Sequence, residues 1–470
     1  MEPFRVLFIK PPDSEVNVLS LDVPLGILYL SAGLKKDFGD RVATKIIDLR
    51  LEKTVTAPLS GKIENFAPDL IGISLLTFNH VFLKHYLAFI RQKAPRAAIV
   101  IGGPGATYDY RELLKQHPEI DAAVPGEGEA VLSSLAGTLM SGRDIRTVPG
   151  IACLDESGLV FNGRPEYIPD LDSLPFPDYG LISFDSYWGE KRHGQMNGVL
   201  AHNKYTHIIS SRACPFNCIY CHNIFGKKLR KRSPENFVGE MKWLCDTYGI
   251  KEFHIVDDVF NFDRPRMHAI LNLIIDQRLD VKLAFPNGLR ADMLEKEDLD
   301  LLKKAGAYMV TFAIETASAR LQKLIRKNLN INKVSENIQY ASSIGLIVKG
   351  FFMLGFPGET PAEIRRTIDF AVKSKLDLAH FFTVTPFPGT ALRQLARETY
   401  PDWREEALYH YWPDKPFYQQ ATGYNLNRTQ KLAYLKFYGS PRTIKTFYKI
   451  PLKTQRLKKW AKFAGEVLWK

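Results

Sequence analysis

THIISSRACPFNCIYCHN, residues 206–223, runs from a short apolar strand into a loop that gathers Cys214, Cys218 and Cys221 within eight positions. The strand is the first of a series. EFHIVDD (252–258), KLAFPNGLR (282–290), YMVTFAIET (308–316), IVKGFFMLGFPGE (347–359) and HFFTVTPFPGT (380–390) follow, each set off by a segment of helical periodicity. About six such β/α units predict a partial parallel barrel over 205–400, with the chemistry just beyond each strand. The unusual residues stand at those positions: the cysteine loop, Asp257-Asp258, Asn287-Gly288, Glu315, Gly355–Glu359 and Pro386–Thr390. Thr360-Pro361-Ala362-Glu363 reads as a capping box with proline at the first helical position.

Upstream, the alternation is denser. FRVLFIK (4–10), ATKIIDL (43–49), DLIGISLL (69–76), AAIVIGG (97–103) and DAAVPGEGE (121–129) read as strands. The intervening LGILYLSAGLKKDF (25–38), HVFLKHYLAFIRQKA (80–94), YRELLKQH (110–117) and AVLSSLAGTLMSG (130–142) read as helices. Short continuous apolar strands between helices imply a parallel sheet covered on both faces, hence a doubly wound α/β domain over 1–148 with ligands at the carboxyl ends of its strands. Residues 149–204 read as a connector, opening with a hairpin that turns at Glu156-Ser157-Gly158 and continuing proline-rich. Residues 401–470 form a basic, aromatic-rich helical extension.

Composition narrows the class. With 470 residues, 45% hydrophobic and 24% charged, the chain is an ordinary globular one of about three domains. No run of about 18 apolar residues predicts a spanning helix. The N-terminus lacks the pattern of a signal peptide, and five cysteines, an odd number, make no disulfide framework; a reducing cytoplasm is the expected compartment.

Three thiolates in a C-x3-C-x2-C loop wrap one small inorganic centre. Structural zinc takes four closed ligands, usually as two separated pairs, and no second pair exists; His222, next to Cys221, is poorly placed to complete one. An iron–sulfur cube normally takes four cysteines, so three leave one iron open. Cys245, on a helical face with Phe237, Met241, Leu244 and Tyr248, reads as a core residue, and Cys153 falls in the predicted hairpin.

CPFNCIYC, following the first strand of a β/α barrel, resembles the signature of the radical S-adenosylmethionine (SAM) enzymes. The resemblance covers 205–395 and implies a TIM-like partial (β/α)6 barrel in which Cys214, Cys218 and Cys221 hold a [4Fe-4S] cluster. The amino and carboxylate groups of SAM would chelate the open iron. It further implies that Tyr220 lies near the adenine, that Glu315 contacts the ribose and that Gly355, in GFFMLGFPGE, flanks the adenine. Asp257 and Asp258 stand where many relatives carry a Gly-Gly-Glu element for the methionine moiety, and a structural role for one of them is an equal alternative.

VPLGILYLSAGL, PDLIGISLLT, IVIGGPGAT and VPGEGEAVL, in that order, resemble the cobalamin-binding domain that precedes the barrel in one branch of this family, a Rossmann- or flavodoxin-like fold. The resemblance implies that Ser74, Thr77, Gly102, Gly103, Gly126, Glu127, Gly128 and Glu129 line cobalamin. The D-x-H-x-x-G element that supplies an axial histidine elsewhere is missing, and no histidine precedes His80. A regulatory or nucleotide-binding flavodoxin-like domain is the alternative.

Together these features imply a cobalamin-dependent radical SAM methyltransferase, in which a 5′-deoxyadenosyl radical takes hydrogen from an unactivated carbon and methylcobalamin supplies the methyl group. A cyclase or rearrangement enzyme using the same cofactors is the first alternative, and a non-catalytic corrin- or metal-binding regulator the second. A methylthiotransferase would need a further cysteine trio that is absent. The implied partners are a small-molecule substrate and a reductant such as flavodoxin or ferredoxin.

The last 70 residues hold ten Lys and four Arg against five acids, a net of +9 of the chain's +12. In 453–469, Leu457, Trp460, Ala461, Ala464, Val467 and Leu468 fall on one helical face, with Lys453, Arg456, Lys459 and Lys462 largely elsewhere. This segment is expected to contact an anionic membrane peripherally or to pack on the barrel, and it suggests a hydrophobic substrate such as a lipid, terpenoid or tetrapyrrole. No nucleic-acid module is recognisable.

Overall fold

The first sheet contains β1 (Phe4–Lys10), β2 (Val42–Asp48), β3 (Leu70–Ser74), β4 (Ala98–Gly102), β5 (Ala122–Val124), β6 (Ala152–Asp155) and β7 (Gly158–Phe161). The computed structural model describes residues 2–12, 21–164, 166–188, 201–404 and 415–440, with Thr446 and Lys449. The strand order is 2-1-3-4-5-6-7, parallel through β5. Strands buried on both faces read as continuous apolar runs because each face needs its own cover. Leu7, Ile9, Ile71, Ile73, Ile99 and Ile101 lie under helices Thr56–Phe66, His80–Lys93 and Gly103–Gln116. On the other face Val6, Phe8 and Val100 lie under helices Leu25–Phe38 and Glu129–Met140. Each such side chain contributes about 1.5–3 kcal/mol of burial.

From β1 the chain passes to β2 on one side and to β3 on the other, so the crevice of this doubly wound sheet opens between the carboxyl ends of β1 and β3. Asn79 Nδ2 donates to Pro12 O at 2.8 Å and joins the loops that follow those two strands.

Two expectations are corrected here. The predicted hairpin exists, turning at Glu156-Ser157, but β6 pairs antiparallel with β5, so 152–161 extends the sheet and is no part of a connector. The helix expected over 110–117 begins at Gly103, because Pro104 has no N–H to lose in a first helical turn.

The second sheet runs β8 (Tyr205–Ile208), β11 (Glu252–Ile255), β12 (Lys282–Leu289), β13 (Ala307–Glu315), β14 (Ile347–Leu354) and β15 (Leu378–Thr383), all parallel and in sequence order. This is the partial (β/α)6 barrel. Between β8 and β11, the short β9 (Ser211–Arg212) and β10 (Arg230–Lys231) pair antiparallel. Asn287-Gly288, expected beyond a strand, lies inside β12, where the register to β13 shifts and Gly288 adopts φ +98°. Thr360 and Glu363 form the predicted capping box at the start of helix Pro361–Lys373.

Alternation sorts the strand residues. Phe352 meets Phe370 of helix Pro361–Lys373, and Phe381 meets Tyr434 and Phe437 of helix Leu426–Tyr438. Lys349, Phe351, His380 and Phe382 therefore turn to the barrel's inner face. Helix Leu426–Tyr438 also covers the edge strand β15. Ala379 N and Phe381 N donate to the hydroxyls of Tyr438 and Tyr434, and Gln430 Nε2 donates to Phe381 O at 2.6 Å. This part of the aromatic extension packs on the barrel. Residues 453–469 lie outside the described residues. Among the described residues no helix is long and apolar enough to cross a membrane. The chain forms two compact units, Met1–Met196 with Ile224–Gly226, and Asn197–Asn223 with Lys227–Lys470.

Candidate functional site

The cysteine loop leaves β8 through a stem held by an acid. Asp257, just past β11 and 2% exposed, accepts from Ser210 N at 2.6 Å and from the hydroxyls of Ser210 and Ser211 at 2.5 Å each. Burial pushes this carboxyl up although all three donors oppose it. The β9–β10 clasp closes the loop, and Ala213 turns into it with φ +79°. The loop's middle is anchored twice: Ile219 N donates to Ile325 O at 3.1 Å, and Leu392 N donates to Ile219 O at 2.8 Å. Ile219 packs with Leu321, Ile325, Phe356, Val384 and Leu392. His222 is engaged elsewhere, its Nε2 donating to Pro388 O at 2.7 Å, and burial lowers its pKa.

The thiols differ. A hydrogen bond from Cys221 lowers Cys218 against its own burial, with the Lys327 ammonium adding to the effect, while burial raises Cys214. Among the described residues no three His, Cys, Asp or Glu side chains are gathered as ligands of a single metal ion. A cube takes one cysteine per iron, and a three-thiol loop of this spacing suits such a cluster, although Cys218 and Cys221 share a hydrogen bond here.

Beside the loop, Tyr220, Glu315 and Lys327 form a triangle. Lys327 Nζ donates to Glu315 Oε1 at 2.7 Å and to Tyr220 OH at 3.1 Å, and Tyr220 OH donates to the same Glu315 oxygen at 3.1 Å. Glu315 sits at φ +66°, next to a register shift in β13, so its side chain leaves the strand's regular alternation. Lys327 is a residue that sequence reasoning missed. It lies in IRKNL, which reads as a solvated basic turn, yet it is only 9% exposed.

Asp258 is solvent-accessible but ringed by protein. Burial and neighbouring Asp257 push it up to about 6. Of the two aspartates, Asp257 is occupied by the protein and Asp258 faces outward. Gly355, at φ +90°, owes its identity to packing: a Cβ there would stand 2.7 Å from both Tyr418 Cβ and Leu426 Cδ2. Its N–H and that of Phe356 donate to Glu359 Oε2 at 2.6 and 2.9 Å. Burial pushes Glu359 up to about 7, so the GFPGE loop is folded around its own acid.

In the first sheet the expected cobalamin residues share one edge. Ser74 ends β3 and Thr77 follows it, Gly102 ends β4 and Gly103 opens the next helix, and Gly126–Glu129 follows β5. Their glycines differ in purpose. At Gly103, φ +86°, a Cβ would stand 2.8 Å from Leu75 O, which is backbone packing. Gly126, φ +96°, meets nothing within 4 Å, so its face is open to a bulky ligand. Its N–H donates to Thr107 Oγ1 at 3.0 Å. Glu127 is turned inward, where its carboxylate accepts from Ile168 N at 2.9 Å. A cavity of about 540 Å³ lies elsewhere, along the edge strand β2, and is lined by none of the expected residues.

The Radical SAM superfamily model matches residues 208–371, and the B12 binding domain model matches 17–136. The chain is 30% identical over 457 residues to an uncharacterized methyltransferase of Pyrococcus horikoshii, covering 94% of each. It is 31% identical to the cytidylyl-2-hydroxyethylphosphonate methyltransferase of Streptomyces wedmorensis, covering 82% of this chain and 80% of that one. It is 26% identical to an anaerobic magnesium-protoporphyrin IX monomethyl ester cyclase of Cereibacter sphaeroides, over 84% of this chain and 64% of that one. Its fold matches the radical SAM methyltransferase TsrM of Kitasatospora setae, solved with cobalamin and a [4Fe-4S] cluster, at a TM-score of 0.69 and 19% identity, over 84% of this chain and 75% of that one.

Proposed function

Because the chain belongs to the radical SAM enzymes that carry a cobalamin-binding domain, we propose that it methylates an unactivated carbon of a small organic molecule with an apolar body. The observation that carries this reading is the three-cysteine loop, clasped at the carboxyl end of a six-stranded partial barrel beside the Tyr220–Glu315–Lys327 triangle. Its cofactors are a [4Fe-4S] cluster, SAM and cobalamin; when bound they supply a 5′-deoxyadenosyl radical and a transferable methyl group.

The chain's own residues prepare that chemistry. Cys214, Cys218 and Cys221 would hold three irons and leave the fourth to SAM. Lys327 places a buried cation beside Cys218 and favours its thiolate form. Glu315 and Tyr220, already ordered by Lys327, would border the nucleoside. Asp258 would meet the methionine end, while Asp257 holds the loop's stem. Ser74, Thr77 and the open Gly126 face would take cobalamin. A low-potential protein such as flavodoxin or ferredoxin would deliver the electron.

Cyclisation or rearrangement is the second reading, favoured by the likeness to the protoporphyrin ester cyclase. One anaerobic experiment separates the two. The reconstituted protein is given reductant, methyl-deuterated SAM and candidate metabolites, and mass spectrometry follows 5′-deoxyadenosine, S-adenosylhomocysteine and product. Both nucleosides with a deuteromethylated product establish a methylase. Substrate-dependent deoxyadenosine without label moves the assignment to cyclisation or rearrangement. No cleavage of SAM refutes both.

A further inference from the structure

The cavity of about 540 Å³ beside β2 has a floor of main chain. Leu49 N donates to Lys10 O at 2.9 Å, and Lys10 stands in register with Asp48. In a parallel ladder each residue turns both backbone groups to one side, and the side alternates along the strand. Lys45, Ile47 and Leu49 therefore face β1. Thr44, Ile46 and Asp48 face outward, where β2 is the edge of the sheet. Asp48 O accepts from Leu51 N at 3.0 Å. Ile46 lines the cavity, and among the described residues its outward N–H and C=O have no hydrogen-bond partner. A donor and an acceptor side by side on a bare strand edge are a template for one more strand.

Two walls flank this floor. Helix Thr56–Phe66 forms one through Pro58, Gly61 and Lys62, and the stretch 181–187 forms the other through Leu181 and Ile182. Lys45 Nζ stands 4.7 Å from the Phe66 ring centroid, on the helix side, whereas Ile46 and Leu181 pack on the opposite face of the sheet. Gly61 is inside the helix, where glycine is a poor helix former. A Cβ there would meet no atom within 4 Å, so packing does not require glycine, and its bare backbone keeps the wall flat. Neither Lys45 nor Lys62 has an ion-pair partner among the described residues. The lining acid Asp48 is already engaged, accepting from Arg50 Nη2 at 2.6 Å and from Tyr187 OH at 2.9 Å. Glu52 alone among the lining acids is left to oppose the two lysines.

We propose that this groove takes an extended acidic segment of a partner protein as an added strand. Ile46 N–H donates to a carbonyl of that segment, and Ile46 O accepts from one of its amides. Side chains of an extended segment alternate. Acidic ones meet Lys45 and Lys62 on the helix side, and apolar ones meet Leu181 and Ile182 on the other. A small organic anion lacks the carbonyls and amides that pair with a strand edge, and a purely apolar ligand leaves both lysines unanswered. The groove is lined by none of the residues expected to take cobalamin, and its test reads binding without any turnover.

The test uses the full chain, anaerobically reconstituted, and the fluorescence anisotropy of a short, amidated, fluorescein-labelled peptide in which glutamate and valine alternate. This peptide should bind saturably. A counterpart with lysine in place of glutamate should bind at least about threefold more weakly, and added salt should narrow that gap. Methylating the backbone nitrogens of the acidic peptide removes the donors for Ile46 O and should weaken binding at least about fivefold. Gly61→Leu puts a side chain into the groove and should weaken binding about tenfold. No binding of the acidic peptide, equal binding of the methylated peptide, or unchanged binding by a Gly61→Leu protein with the parent's melting temperature would overturn the proposal. If Gly61→Leu does not fold, Lys62→Glu serves, with an expected loss of about threefold; unchanged binding there overturns it equally. Sedimentation of the peptide-free chain at rising concentration tests the other occupant. A dimer that the acidic peptide or Gly61→Leu dissociates would put a second copy in the groove and refute the acidic partner.

Discussion

Replacing Asp257 by alanine should destabilise the barrel by about 2–4 kcal/mol while leaving no cofactor contact missing. The carboxylate is 2% exposed and accepts three hydrogen bonds at 2.5–2.6 Å from Ser210 and Ser211. Its removal strands three donors, each worth about 1–3 kcal/mol when left buried and unpaired. Two are hydroxyls that can rotate to other partners, and the variant is relieved of a buried acid, which brings the sum down to the stated range. Asp257→Asn keeps an acceptor for Ser210 N and should lose about 1 kcal/mol. Urea unfolding gives the stability change, and hydrogen exchange across 208–214 locates it. Iron content after reconstitution and the affinity for SAM complete the comparison. A variant that unfolds at the parent's urea concentration yet binds SAM more than about tenfold more weakly would show that Asp257 is a ligand, and the structural assignment would be wrong.

Glu359 makes stability depend on pH. Its folded-state pKa is raised from 4.5 to about 7, so its stabilising effect is full below pH 4.5 and declines as pH rises through 7. The decline should reach about 3 kcal/mol; unfolding midpoints at several pH values should show it, and Glu359→Gln should abolish it. Lys327→Met leaves Glu315 buried without its cation and should cost about 3–5 kcal/mol or force the acid to protonate; melting curves and SAM titrations check this. Cys218→Ala should abolish cluster assembly, read from iron content and visible absorbance, with loss of deoxyadenosine formation. Gly103→Ala drives a Cβ to 2.8 Å from Leu75 O and should lower the melting temperature. Gly126→Ala meets no atom and should cost only about 1 kcal/mol of backbone strain, but it should weaken cobalamin binding measured by absorbance.

Local patterns carried most of the architecture. The Leu25–Phe38 helix, the capping box at Thr360 and the parallel strands were readable because apolar spacing and cap chemistry act over a few residues. What escaped depends on long-range burial. Asp257 is satisfied by serines 46 and 47 positions away, and Tyr220 meets Glu315 across 95. Lys327 and Glu359 look like surface charges until the fold encloses them. Glycines were the least legible. GGPG reads as a ligand loop, yet Gly103 is there for contact with Leu75, and only its neighbour strand's Gly126 has an open face. The inner-face polar residues were hidden for a related reason. A strand with one lysine, IVKGFFML, scans as apolar, and nothing local says which way Lys349 turns.

The tyrosine-bearing helix over β15 bears on how this chain behaves in solution. An uncovered edge strand is a template for another copy of the same strand. Here Tyr434, Tyr438 and Gln430 occupy backbone groups that a foreign strand would otherwise seek. Fragments ending before this helix would therefore present a sticky border and self-associate. A library of shortened chains should divide sharply at residue 440: those that keep the helix remain dispersed, and those that lose it precipitate or exchange strands.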